Sequence, residues 1–419
     1  MTTTTTTFTA AGVKVVKPTV ASHVHGYWGR VRGGDLGSLP AVLGLAVLSL
    51  IFGVARDTFF SSLNFANLFA QSAQVIFIAM GLVFVLLLGE IDLSAGFASG
   101  VCGALMAILV TNQGWPAYGA LLVAMLTGVV IGSVLGFLVA KFGIPSFVVT
   151  LAAFLGFQGV LLYLLSGGRN ISVNDPFVLG LANSNLSVSL SWTLAIFAVI
   201  GYAAVQFNRV RSRAGRGLIT DPIGILLLRI AGLAVVVLVA TALLTRERSI
   251  NPAINSVKGV PIVVPIIAVF VIIWTFVVGR TTFGRHVYAV GGNAEAARRA
   301  GIPVDRIRIS VFVIGSFMAS IGGILAVSRA NSVDPNTGGS NILLYSIGAA
   351  VIGGTSLFGG KGKVINAIIG GAVIAVIDNG MGLMGYQAGT KYVVTGLILL
   401  VAASVDALAR RRAAATGTR

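Results

Sequence analysis

Charged residues are scarce: Asp, Glu, Lys and Arg make up 10% of the 419 residues, against 56% hydrophobic and a mean hydropathy of +0.96. Water-soluble domains carry about 25% charged residues, so this shortage excludes a chain whose whole surface faces water. Cysteine is nearly absent. Cys102 stands alone in an apolar run, which excludes a disulfide framework and a cysteine-based metal site. No HExxH helix, Cys and His cluster or serine nucleophile elbow is present, so the sequence offers no catalytic residues and no metal site. Alternation of apolar and polar residues, the mark of a membrane β-barrel, is also missing: runs such as GLAVLSLIFGVA are apolar on every side. Residues 1–36 open on a threonine tract and lack the apolar core of a cleavable signal. They are expected to form a disordered cytosolic tail.

What the chain has in abundance is membrane-length apolar sequence. Since about 20 apolar residues cross a bilayer as a helix, twelve segments qualify: 38–55, 68–89, 93–111, 117–140, 144–166, 191–206, 223–244, 262–279, 310–328, 343–358, 364–383 and 392–408. The shortest, 191–206 and 343–358, are candidates to tilt or re-enter. The expected fold is an all-α polytopic membrane protein of about 12 transmembrane helices with both termini cytoplasmic. On that topology 21 of the 29 lysines and arginines face the cytosol and seven the other side, with Arg229 inside a helix, as the positive-inside rule requires. The net charge of +17 therefore reports topology, and no nucleic acid is expected as a partner. Gly128, Gly132 and Gly136 on one helix and Gly96 and Gly100 on another repeat at four-residue spacing, giving faces for close backbone packing.

Three stretches stand apart. In GEIDLSAG (89–96) Glu90 and Asp92 interrupt an apolar run; they are either hydrated in a cytosolic turn, with Asp92 capping the next helix, or part of a translocation path or gate. The longest cytosolic connection, 280–308, contains a short helix with Asn293 as its N-cap, Glu295 in the first turn, Arg298 and Arg299 in the last, and Gly301 and Pro303 as its stop. Ala294, Ala296, Ala297 and Ala300 make it slim, suited either to another protein's groove or to a merely decorative loop. The third, IGAAVIGGTSLFGGKGKV (347–364), has the glycines of a phosphate-binding loop, yet Lys361 is followed by Gly362 and no strand precedes it. It reads as a tight reversal, and the chain carries no nucleotide site of its own. Asp378 and Asn379, near the far end of the eleventh crossing, are further candidates to line a polar vestibule, and Arg229 either snorkels to the headgroups or lines a path.

Together with IPSFVVTLAAFLGFQGVLLYLLSGG (144–168), these stretches resemble the permease subunits of bacterial ABC sugar importers of the ribose, xylose and arabinose group, over residues 64–408 and in the family's order. Glu90 in place of a second glycine, and an extra helix pair within 180–258 joined by RVRSRAGRG, look like the xylose-type branch. The resemblance implies a permease domain over 37–408, a cytosolic coupling loop over 280–308, a basic cytosolic tail over 409–419, and location in the bacterial inner membrane. It implies import of a pentose, D-xylose first. The implied partners are an ABC ATPase subunit that carries ATP and magnesium, an extracytoplasmic sugar-binding protein received by loops 167–190 and 329–342, a second permease copy and membrane lipid. This chain itself would bind no cofactor. Coupling to the ATPase would fall to Gly291, Gly292, Asn293, Glu295, Ala296, Ala297, Arg298 and Gly301, and the path or gate to Glu90, Asp92, Asp378 and Asn379. The alternatives are a proton-coupled secondary transporter working through Glu90 or Asp92, and an ABC permease for a nucleoside or a branched-chain amino acid.

Overall fold

The computed structural model describes residues 37–415 apart from 219, 221 and 255, together with 7–10, 13–16, 25 and 29. Fifteen α-helices are found among the described residues: α1 (Leu39–Ala55), α2 (Ser62–Leu87), α3 (Ala95–Thr111), α4 (Ala117–Lys141), α5 (Ser146–Leu164), α6 (Pro176–Asn183), α7 (Val188–Ala214), α8 (Ile223–Leu244), α9 (Val263–Arg280), α10 (Thr282–Gly292), α11 (Ala294–Arg299), α12 (Val304–Ala330), α13 (Ser340–Ile352), α14 (Ile365–Leu383) and α15 (Ala388–Ala415). Eight are long and apolar enough to cross a membrane, and α1, α3, α13 and α15 contribute shorter apolar segments. Each of the twelve apolar stretches read from the sequence overlaps a helix, 343–358 only as far as Ile352. Of the expected terminal tails, β1 (Thr7–Ala10) and β2 (Val13–Val16) pair antiparallel, α15 runs on to Ala415, and most of 1–36 and all of 416–419 lie outside the described residues.

The chain divides into two compact units. One comprises 37–185 and 261–407, the other 1–36, 186–260 and 408–419. In the larger unit α12 lies against α2, α3 and α4. Glycine is the reason these helices can approach so closely. A side chain at Gly128, Gly132 or Gly136 of α4 would strike the α12 backbone at Ser316, Phe312 or Ile309, and one at Gly81 of α2 would strike Gly315. The four-residue glycine repeat is thus a packing face, as its spacing predicts. Enclosed on all sides, α2 buries Phe77, Met80, Phe84 and Leu87, whereas α5 and α9 leave most of their apolar surface outward.

In the smaller unit α7 and α8 pack against one another. Ser187 accepts from the Leu190 N–H to start α7, and α7 continues through Arg209, Arg211 and Arg213 to Ala214. The basic stretch expected as a connecting loop is therefore largely the last turns of a helix, where arginines complement the C-terminal dipole. The connection 245–260 is organised by Glu247, which accepts from the Ser256 hydroxyl and from the Ser249 and Val257 N–H groups. These bonds, the Ser256 hydroxyl first, hold its carboxyl down at about 2.

Candidate functional site

The three stretches singled out in the sequence meet at one end of the larger unit. Residues 280–308 hold two helices rather than one, because Thr281 caps α10 by accepting from the Gly284 N–H at 3.2 Å and the buried Val287 and Val290 seat it on the core. Its last turn places Gly291 directly on the Leu87 carbonyl at the end of α2 and beside the Gly360 N–H, which donates to that same carbonyl at 2.9 Å. Gly359 in turn approaches Gly291 and Gly89, and the Tyr288 hydroxyl donates to the Gly362 carbonyl at 2.7 Å. Only residues without Cβ atoms allow three backbone segments to converge this closely. The 347–364 reversal is thereby fixed to both other stretches.

From this junction projects α11. Asn293 accepts from the Ala296 N–H at 2.9 Å as its N-cap, and Gly301 at φ +81° closes it. Asn293, Glu295, Ala296, Arg298 and Gly301 are exposed, as is Gly292. Ala297, expected with them in the coupling set, is not: it is buried in the core, so its side chain anchors the helix instead of facing outward. Glu295 bonds Arg299 at 3.2 Å, one turn on, while Arg298 reaches Asp305 at 3.6 Å, which itself holds Lys141 at 3.0 Å.

At the other end of the same helices lies a cavity of about 380 Å³ with a mixed lining, its polar groups coming from Gln71 and Gln74 of α2, Arg329 of α12, and Asp334, Asn336 and Thr337, and the rest from small and aliphatic residues such as Ala70, Leu325 and Ile342, within the size range of small-molecule sites. Its wall is built by irregular backbone. The pair β3 (Ile171–Ser172) and β4 (Ser332–Val333) sits beside Thr111, which donates to Ser172; from there the chain descends until the Thr337 and Gly338 carbonyls abut Gly100 and Gly96 of α3. Residues 100–111 of a helix span about 16 Å, so this segment enters well into the helix layer. Gly338 adopts φ +77° against the Gly96 carbonyl, a conformation and a gap that favour glycine. The following α13, 13 residues long, reaches only about 20 Å. The tenth expected crossing, 343–358, is thus helical only as far as Ile352. Residues 88–94 break the path from α2 to α3 in the same way, with Ile91 held by Ser146 and Thr150. Non-helical backbone at membrane depth is tolerated where protein encloses it or where it lines a cavity, and the 334–339 segment both packs on α3 and lines the cavity. The Gln74 Nε2 is buried and has no partner among the described residues.

None of the four residues expected in a path or gate lines this cavity. Glu90 pairs with Arg308 at 3.1 Å, beside the glycine junction. Asp92 is buried, its Oδ1 accepting from the Ser94 N–H at 2.8 Å and hydroxyl at 2.6 Å, so it organises the approach to α3. Asp378 holds Lys391 at 3.3 Å. Asn379 is locked by reciprocal amide bonds to Asn64, both 2.9 Å, and donates to Gln71 at 3.1 Å, tying α14 to α2 just behind the cavity wall. The residues that do line it were missed because glutamines and an arginine scattered over 71–337 share no local motif. Their one sequence signal is position: Gln71 and Gln74 are polar residues inside an apolar crossing.

A sequence-family profile described as "Branched-chain amino acid transport system / permease component" matches residues 64–403, about four-fifths of the chain. The chain belongs to this permease family. The permease is 34% identical over 402 residues to the xylose transport system permease protein XylH of Escherichia coli (strain K12), covering 96% of this chain and 98% of that protein. It is 34% identical to the Haemophilus influenzae protein of the same name, over 87% of this chain and 94% of that one. The ribose import permease protein RbsC of Escherichia coli (strain K12) is 29% identical, over 87% and 92%. No solved structure matches the permease.

Proposed function

We propose that this permease is the membrane-spanning subunit of an ATP-driven importer whose solute is a pentose, D-xylose first. The observation that carries the reading is the end-to-end correspondence with xylose transport system permeases, 96% of this chain against 98% of the relative, which takes in the α7–α8 pair. In this reading all twelve apolar segments belong to the membrane layer of a bacterial inner membrane, both termini face the cytosol, and the glycine junction lies on the cytosolic side. The outer loops, which here are bound together through Asn183 with Ser328 and Asn331, receive an extracytoplasmic sugar-binding protein. A separate ATPase subunit binds ATP and magnesium and hydrolyses the nucleotide, and a second permease copy completes the pathway.

Two rigid members join the proposed coupling face to the cavity. The 27 residues of α12 run about 40 Å from Val304, next to α11, to the cavity residue Arg329. From Leu87, under Gly291, α2 runs about 20 Å to Gln74. A push on α11 by the ATPase reaches both through the closely packed glycines, so displacing the cytosolic junction tilts the cavity walls between inward and outward access. Amides, a hydroxyl, a carboxylate and a guanidinium suit the hydroxyls of a neutral sugar better than the side chain of a branched amino acid, because each can trade a hydrogen bond with a hydroxyl. The test is competition of labelled xylose uptake, in vesicles holding all subunits, by unlabelled xylose, ribose, a nucleoside and leucine. Xylose should compete best and leucine not at all, and Gln74→Leu should raise the KM several-fold. Competition by leucine or a nucleoside ahead of both sugars would contradict the assignment.

A further inference from the structure

The α7–α8 pair has no part in the cavity or the coupling face. About a tenth or less of the most apolar stretch of each helix is buried, 11% and 6%, and Phe197, Phe207, Ile223, Leu227 and Leu228 are all more than half exposed. Where α7 ends and α8 begins, this apolar surface stops at a pocket of about 110 Å³ lined by Gln206, Arg209 and Arg213 of α7 and by Leu226 and Arg229 of α8. The spacing explains the convergence: 206, 209 and 213 fall on one face of α7, and 226 and 229 on one face of α8. Among the described residues Arg209 and Arg213 form no ion pair. Residues 206–244 contain five arginines and a single acid, Asp221, so the chain cannot neutralise this cluster from its own segment.

We propose that this pocket binds the phosphate headgroup of an anionic phospholipid, with the acyl chains lying along the exposed apolar flanks of α7 and α8. The guanidinium groups of Arg209 and Arg213, one helical turn apart on α7, match a phosphate through paired N–H donors. Basic pockets between membrane helices suit anionic headgroups. The apolar flank decides between sources: free phosphate would use the arginines but leave Phe207, Ile223 and Leu227 idle, whereas a lipid uses both. The α7–α8 pair then serves as a lipid-held strut, whatever solute the permease carries.

The experiment is native mass spectrometry of the full-length protein released from detergent with phosphatidylglycerol or phosphatidylcholine, with and without millimolar inorganic phosphate. One phosphatidylglycerol should stay bound per chain, phosphatidylcholine should not, and phosphate should not displace it. Arg209→Gln with Arg213→Gln should weaken retention about twenty-five-fold, since each cation near an anionic headgroup contributes roughly fivefold. Arg211→Gln with Arg216→Gln, which removes equal charge from residues that do not line the pocket, should leave retention unchanged and shows that fold and net charge are not the cause. Equal retention of phosphatidylcholine, displacement by inorganic phosphate, or loss that is the same in both double variants would overturn the proposal.

Discussion

At the scale of single residues, the acidic groups that look most like transport machinery are occupied with structure. Asp92 sits in non-helical backbone, and the Ser94 N–H and hydroxyl both close on its Oδ1. A proton-coupled mechanism requires Asp92 to gain and lose a proton. An ATP-driven one requires only its acceptor oxygen, which asparagine also has. Asp92→Asn should therefore keep xylose uptake within about twofold and shift unfolding by less than about 1 kcal/mol, while Asp92→Ala, which orphans both Ser94 donors, should cost about 1 to 2 kcal/mol. Thermal unfolding together with uptake rates reads both, and abolished uptake in a stable Asp92→Asn protein would favour proton coupling. Glu247 is a second structural acid. Because its carboxyl is held down at about 2, its contribution is complete above the ordinary carboxylate range and disappears as pH falls toward 2. The 245–260 connection should accordingly keep its protection from proteolysis from neutral pH down to about 4.

At the scale of elements, the coupling assignment rests on a helix of six residues standing on a junction of glycines. Gly291 and Gly292 separate the two roles. A side chain at Gly291 would strike the Leu87 carbonyl, whereas one at Gly292 meets nothing. Gly291→Val should cost about 1 to 3 kcal/mol of stability through forced overpacking, and Gly292→Ala should stay within about 0.5 kcal/mol of the parent. Replacing the exposed Glu295 and Ala296 with bulky residues should leave insertion and thermal stability intact while abolishing copurification of the ATPase; undiminished association would refute the assignment. The twelve apolar helices and the Asn293 to Gly301 helix were legible in the sequence because length, caps and glycine stops are local signals. Not legible were α10, whose seating depends on Val287 and Val290 meeting distant helices, and the inward face of Ala297, which the alanine pattern left undetermined. The cavity was invisible for the same reason, since Gln74 and Thr337 meet only through the descent of 334–339 beside α3.

At the scale of the whole molecule, the larger unit holds the glycine junction with α11 at one end and the Gln74 cavity at the other, bridged by α2 and α12, and the smaller holds the α7–α8 pair. The 353–364 segment, in which Lys361 precedes a glycine rather than a hydroxyl residue, is spent on packing against Leu87, Gly89 and Gly291. The central claim is therefore that the chain is a gate driven from outside itself through α11. The most direct measurement is xylose accumulation in proteoliposomes containing the purified chain alone, the chain with its ATPase and sugar-binding protein, or the same complete set with the Glu295 and Ala296 replacements. Accumulation against a gradient should occur only in the complete unmodified set supplied with ATP. Uphill uptake or ATP consumption by the chain alone would contradict the account.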